Sequence, residues 1–193
     1  MYEYIQGPVS QINPAQVVID ANGVGFSIHI SLNTFSALHT LSQAKVYTHL
    51  IVREDAHLLF GFATVSEREL FRSLLSVNGV GAATAMMMLS SLSPEEISAA
   101  IAHENIHLLK SVKGIGLKTA QRIVIDLKDK IGKVPLGGQI LIQTDNTIQN
   151  EALSALVMLG FARKDAEKAV AAILADQPGT KVENVIKQAL KRL

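Results

Sequence analysis

The sequence predicts a multidomain α+β protein: a small N-terminal β-barrel, a central all-helical module, a linker and a helical tail. Three observations carry this. Short runs rich in β-branched residues fill the first sixty positions. One short pattern is then written twice, at an offset of about 35 residues, within the range expected of structural repeats. After Lys133 the composition turns to Pro, Gly and uncharged polar residues, and helical periodicity returns near Glu151.

The barrel is read from Val17-Val18-Ile19, Gly25-Phe26-Ser27-Ile28-His29-Ile30, the run 46–52 and the run 57–62. Asn22-Gly23 is a hairpin-turn dipeptide between the first two. A short helix over 33–40 is expected to be capped by Asn33. Arg53-Glu54-Asp55-Ala56 reads as a hairpin tip. About five short strands and one helix fit a Greek-key barrel such as the OB-fold, and an SH3-like barrel fits almost as well.

After Gly61 the apolar period becomes helical. Ser66-Glu67-Arg68-Glu69 has the form of a capping box, opening a helix with Leu70, Phe71, Leu74 and Leu75 on its apolar face. Ser93-Pro94-Glu95-Glu96 gives another N-terminus, and Asn105 can cap the helix after it. The repeats sit between these helices. The first reads Leu74-Leu75-Ser76-Val77-Asn78-Gly79-Val80-Gly81-Ala82-Ala83-Thr84-Ala85. The second reads Leu109-Lys110-Ser111-Val112-Lys113-Gly114-Ile115-Gly116-Leu117-Lys118-Thr119-Ala120. In the tail, Thr180 with Glu183 has the form of a further capping box. The boundaries expected are a barrel over 1–63, a tandem-hairpin domain over 64–133, a flexible linker over 134–149 and a three-helix domain over 150–193.

A Gly-x-Gly turn between helices permits backbone angles closed to most residues and leaves amide N–H groups bare. The helix that follows adds unpaired amides and a positive dipole end, which suit a phosphate. Lys118 stands one turn into the second such helix and Arg122 a turn beyond. The candidate DNA-binding set is therefore Asn78, Gly79, Gly81, Ala83, Lys110, Lys113, Gly114, Gly116, Lys118, Thr119 and Arg122. A dinucleotide-binding turn does not fit, because Thr84 and Thr119 replace its third glycine and a helix precedes each turn. A Walker A loop does not fit either, since no Gly-Lys-Ser/Thr follows. Two helix corners without a ligand remain the plain alternative. Duplication favours the ligand, because two equivalent phosphate sites match the two-fold symmetry of a duplex. Such contacts carry no base information and depend strongly on salt.

Formal net charge is only +1. The stretch 110–133, however, holds Lys110, Lys113, Lys118, Arg122, Lys128, Lys130 and Lys133 against Asp126 and Asp129, while the first third is slightly acidic. A solvated helical face with i,i+4 pairs would produce the same pattern. The absence of cysteine excludes disulfides and thiolate metal sites. No run approaches the roughly 18 apolar residues of a membrane span, and the N-terminus lacks a signal-peptide pattern. A soluble, cytoplasmic protein is expected, with no cofactor and no metal site. The six histidines show no ligand spacing, and Glu54-Asp55 lacks an evident third carboxylate.

Paired helix-hairpin-helix motifs after a small barrel resemble the RuvA family, the Holliday-junction-binding subunits of the bacterial branch-migration complex. So do Val52-Arg53-Glu54-Asp55-Ala56 and the Leu58-Leu59-Phe60-Gly61-Phe62 that follows. The likeness covers essentially the whole chain. It implies a non-catalytic homotetramer, alone or as two face-to-face tetramers, holding a four-way DNA junction open in recombination and repair within the SOS response. Each subunit would grip one arm through its two hairpins, with Glu54 and Asp55 as an acidic pin at the crossover. The tail would dock on RuvB, the hexameric AAA+ ATPase that drives branch migration, and the RuvC resolvase could join the same complex. Leu159-Gly160-Phe161 resembles the loop of ubiquitin-associated-like three-helix domains. One departure stands out: family members often carry a basic residue after the first Gly-x-Gly, where this chain has Ala82-Ala83. The second hairpin is thus expected to be the stronger.

Overall fold

The computed structural model describes residues 2–131, 144–177 and 179–193, and the chain divides into two compact units, Met1–Gly137 and Gly138–Leu193. The first begins with β1 (Tyr4–Asn13), β2 (Gln16–Ala21), β3 (Val24–Ile30), α1 (Leu32–Leu38), β4 (Gln43–Val52) and β5 (His57–Phe62). The strands close into a barrel in the order β1-β2-β3-β5-β4, with β3 and β5 parallel through His29↔Phe60 and Ile30↔Gly61. This Greek-key closure, with a helix between the third and fourth strands, decides for the OB arrangement over the SH3-like one. Ile5, Val17, Ile19, Ile28, Ile30, Val46 and Leu59 fill the interior. Asn22 and Gly23 both have positive φ, 54° and 85°, as a two-residue hairpin turn requires.

Strand β1 serves two neighbours. Tyr4 to Pro8 pair with β4, Val9 to Asn13 pair with β2, and the register slips between Val9 and Gln11. A bulge there bends the strand around the barrel corner. Gly7 lies just before it, where a Cβ would sit 1.9 Å from the Asp20 carbonyl oxygen. The close approach of the two backbones admits no side chain.

The helices α2 (Val65–Leu75), α3 (Ala82–Ser91), α4 (Pro94–Ala102), α5 (Ile106–Ser111) and α6 (Leu117–Ile131) follow in the expected helix-turn-helix, connector, helix-turn-helix order. The Ser93 capping box and the Asn105 cap both form. Two other caps differ from expectation. Helix α2 is capped by Thr64, whose Oγ1 accepts from the Glu67 N–H at 3.1 Å, and not by Ser66. Helix α1 is capped by Ser31, which frees Asn33 to donate to the Leu89 and Leu92 carbonyls at the end of α3.

Barrel and hairpin helices share a core rather than meeting as separate bodies at residue 63. Phe60 and Phe62 of β5 pack on Phe71 of α2, with ring centroids 5.3 and 4.9 Å apart. That cluster continues through Leu74, Leu89, Ile101, Leu109, Ile123 and Leu127. Arg68, buried beside it, holds the N-terminal strand by donating to the Glu3 carbonyl at 2.8 Å and its carboxylate at 2.6 Å.

The second unit is a three-helix bundle of α7 (Thr144–Met158), α8 (Arg163–Asp176) and α9 (Val182–Ala189). Ala152, Leu156, Val170, Ile173, Val185 and Ala189 form its core. Of the linker expected over 134–149, residues 134–143 lie outside the described residues; from Thr144 onward the chain is already helical. The N-cap of α9 is Lys181, without a side-chain cap bond, so Thr180 does not act as the cap. Among the described residues, no helix is long and apolar enough to cross a membrane.

Candidate nucleic-acid interface

The two turns are the same object built twice. In the first, Val77 N–H donates to Leu74 O, Val80 N–H to Val77 O and Ala85 N–H to Gly81 O. In the second, Val112 N–H donates to Leu109 O, Ile115 N–H to Val112 O and Ala120 N–H to Gly116 O. Gly79 and Gly114 share a φ of 93°. Leu74, Val77, Val80 and Ala85 are buried, as are Leu109, Val112, Ile115 and Ala120. The apolar residues of each repeat pull its turn onto the common core and leave the glycine edge outward.

The glycines within a turn do different work. At φ 93°, Gly79 and Gly114 occupy the left-handed region that other residues enter only under strain. Gly81, by contrast, has φ −91° and ψ 173°, open to any residue. A Cβ added to Gly81 or Gly116 would meet nothing within 4 Å. Folding therefore does not need glycine at the second position. A ligand that must come against the backbone does.

Helix α3 starts at Gly81 with no side-chain cap, whereas α2, α4 and α5 are capped by Thr64, Ser93 and Asn105. Its first amides stay open for an external acceptor. Ala82 is buried and Ala83 exposed, so this turn offers backbone donors and no cation.

Lys110, Lys113, Lys118 and Arg122 are all exposed, and Thr119 is half-buried at the start of α6. Among the described residues none of these four cations is within ion-pair distance of a carboxylate, whereas Lys128 is paired with Glu104. That contact draws Lys128 toward the connector side of α6 and raises its pKa through the Glu104 hydrogen bond and charge. Asn78 and Gly79 of the first turn meet Lys118, Thr119 and Arg122 of the second motif around one open cleft. Arg122 Nη1 lies 3.4 Å from the Asn78 carbonyl oxygen and links the two motifs. Gln121, Ile125 and Asp126 complete the lining and were not among the residues expected. Ile125 is 76% exposed on a helix otherwise strongly amphipathic.

Glu54 and Asp55 stand exposed at the β4–β5 tip, closed by an Arg53 N–H to Ala56 O bond of 2.8 Å. They belong to the barrel end of the unit and do not line the cleft. Among the described residues no three His, Cys, Asp or Glu side chains are grouped as a metal site would need. His49 packs edge-on against Phe71 near Arg72 and is held below the usual histidine pKa, first by burial and then by the Arg72 and Arg68 charges. It is a partner-bonded core-edge histidine.

An OB barrel continued by a tandem helix-hairpin-helix module, its two turns equivalent down to their hydrogen bonds, defines a class of nucleic-acid-binding architecture. Comparison with known proteins narrows it. Residues 1–61 match the RuvA N terminal domain, 71–129 the SAM-like helix-hairpin-helix tandem and 147–193 the RuvA C-terminal domain. A protein of Christiangramia forsetii described as "Holliday junction branch migration complex subunit RuvA" is 51% identical, over all of both chains. Those of Bacteroides fragilis and Flavobacterium psychrophilum, described in the same words, are each 50% identical over all of both chains. The chain belongs to the RuvA family.

Proposed function

We propose that this chain binds four-way DNA junctions without regard to sequence, as the non-catalytic subunit of a branch migration complex in the cytoplasm. The observation that carries the reading is the duplicated turn: two equivalent sets of outward amides, one flanked by exposed cations, in a chain half identical to proteins named for that complex. Each pair of turns would take phosphates from the two strands of one arm. Four copies would surround the junction, with Glu54 and Asp55 repelling the strands at the crossover. The domains act in the order barrel over 1–63, hairpins over 64–133 and docking tail over 150–193. ATP hydrolysis falls to the RuvB motor, since the sequence has no Walker A lysine loop. RuvC would act on the same held junction.

A gel shift comparing a four-way junction with plain duplex of equal length tests this. Marked preference for the junction is expected. Equal weak binding, or cleavage of the junction by the purified chain with Mg²⁺, would overturn it. In the same assay Lys118→Ala is expected to weaken both substrates several-fold and to reduce the slope of log affinity on log salt by about 1. Ala83→Lys should change affinity less, because the first turn already binds through its amides. Equal and opposite effects would contradict the asymmetry between the hairpins.

The tail offers Met158 and Leu159, 88% and 61% exposed, beside half-exposed Val157 at the end of α7. Consecutive apolar side chains in water suit a partner's apolar surface. Met158→Asp with Leu159→Asp should leave junction affinity unchanged and abolish ATP-driven branch migration with the motor subunit, read by strand displacement of a labelled junction. Undiminished migration would move the docking surface elsewhere on the bundle.

A further inference from the structure

Beside the shared apolar core, the barrel is fastened to the hairpin helices by a compact group of polar bonds centred on the first turn of α1. Ser31 Oγ donates to Glu67 Oε1 at 2.7 Å and Thr34 Oγ1 to Glu67 Oε2 at 2.8 Å, while the Ala63 N–H donates to Oε2 at 3.1 Å. Ser31 and Thr34 are fully buried and Glu67 is 3% exposed. Among the described residues Glu67 has no cationic partner. On the other side, Asn33 Nδ2 donates to the Leu89 and Leu92 carbonyls at 2.7 and 2.9 Å, and the Leu32 N–H to Ser90 Oγ at 3.2 Å. One short helix of the barrel thus grips the first turn of α2 and the last turn of α3.

An apolar seam would hold these elements with less desolvation cost, since a buried carboxylate without a cation is expensive. Directional hydrogen bonds restrict sliding and tilting more than apolar contacts alone do. The clamped end of α3 is opposite the end that starts at Gly81. Ten residues of helix make a lever about 15 Å long, so a tilt of about 10° moves the glycine turn by roughly 2.5 Å. A hydrogen bond to phosphate does not survive a shift of that size. The two turns seat on one core and are linked through Asn78 and Arg122, so they shift together, and plain duplex can follow the displaced pair by reorienting as a rigid rod. A junction cannot, because the hairpins must hold the arm while Glu54 and Asp55 of the same barrel stand at the crossover.

We propose that Ser31, Asn33, Thr34 and Glu67 are positioning residues that fix the hairpins relative to the barrel tip and so set selectivity for junction over duplex. The inference rests on the junction-binding reading above. It assigns the seam a part in recognition, although none of its residues touches DNA.

The test uses the full chain carrying Asn33→Ala with Thr34→Val, which removes a donor from each side of the joint, at the buried Thr34 with nearly unchanged volume. Duplex and junction dissociation constants are measured at one salt concentration, beside melting temperature. The expected result is duplex affinity within about twofold of wild type, since the phosphate contacts persist, and a junction-to-duplex ratio lower by about tenfold, the scale of losing one hydrogen bond to a charged group. Thr34→Ser, which keeps the hydroxyl, should retain the ratio. Asn33→Ala alone, at a half-buried site, should lower the ratio in the same direction if the double variant folds poorly. A ratio unchanged in both Asn33→Ala and the double variant, or duplex and junction affinities falling in step, would overturn the inference. A wild type with no junction preference would instead overturn the functional reading beneath it, and this inference with it.

Discussion

Gly81→Ala combined with Gly116→Ala is expected to weaken binding to both duplex and junction by at least about tenfold while leaving the fold almost intact. The expectation separates two uses of glycine that a Gly-x-Gly motif writes identically. A methyl at either position points into open space, and Gly81 has ordinary backbone angles. The stability cost is the modest difference between glycine and alanine at a helix N-cap, about 1 kcal/mol or less per site. The space the methyl fills is the space through which a phosphate oxygen would reach the amides of the following helix. Gly79→Ala and Gly114→Ala should behave oppositely, losing about 1–2 kcal/mol each to left-handed strain. Filter binding beside thermal denaturation checks both pairs. Unchanged affinity in the Gly81/Gly116 variant would mean that the backbone edge is not the binding surface.

Glu67→Ala should be strongly destabilising. It leaves two buried hydroxyls and the Ala63 N–H without their acceptor. The loss is about 3 kcal/mol, and roughly 10 °C in melting temperature for a unit of this size. Glu67→Gln should cost less, because the amide oxygen still accepts from the hydroxyls while its NH2 faces the Ala63 donor. The pair also carries a pH signature. Burial pushes the Glu67 carboxyl above its ordinary pKa, against the hydrogen bonds from Ser31, Thr34 and Ala63, and the Glu95 charge adds to the rise. The folded protein therefore holds this proton more tightly than the unfolded chain. Its stabilising contribution is full below the unfolded value, about 4.3, and is lost as pH rises through the folded one. The stability of wild type relative to Glu67→Gln should accordingly grow on acidification. His49 acts in the opposite sense: with its pKa depressed, stability is lost as pH falls below about 6.5, the unfolded histidine value. Glu3, held low by its hydrogen bond and ion pair with Arg68, likewise loses its contribution in acid. Both are present in wild type and variant, so the difference profile from urea denaturation isolates Glu67. A flat difference between pH 7 and 4 would refute the assignment.

Much of the site was legible because its information is local. The Gly-x-Gly flanks, the apolar residues that seat each turn and the offset between copies all lie within a dozen residues, and the turns superpose as their repeats do. Strand β1 was harder to locate, because Gly7-Pro8 stands in its middle. The reason for that glycine, the carbonyl of Asp20, is contributed by another strand. The helix caps show the same limit. Residues 64–69 contain two overlapping capping patterns, Thr64 with Glu67 and Ser66 with Glu69. Nothing local decides between them. The fold does, by drawing Glu67 into the joint with α1 and leaving Glu69 to Arg68 and Arg72 at 3.2 and 2.9 Å. Ile125 entered the cleft unannounced, because which face of α6 meets the first turn depends on how the two motifs pack.

By itself the sequence determined the architecture: a five-strand barrel, two hairpin turns alike in chemistry, and a three-helix tail. Periodicity, turn dipeptides and repetition act through the backbone over short distances, so they can be read from one chain in order. Only the tertiary structure decided how the parts bear on one another. It merged barrel and hairpins into one core, brought Asn78 and Gly79 against Arg122, and turned Asn33 from a cap into a strut. Those outcomes depend on which distant groups satisfy buried donors and fill apolar space, and that is settled when the elements close on each other.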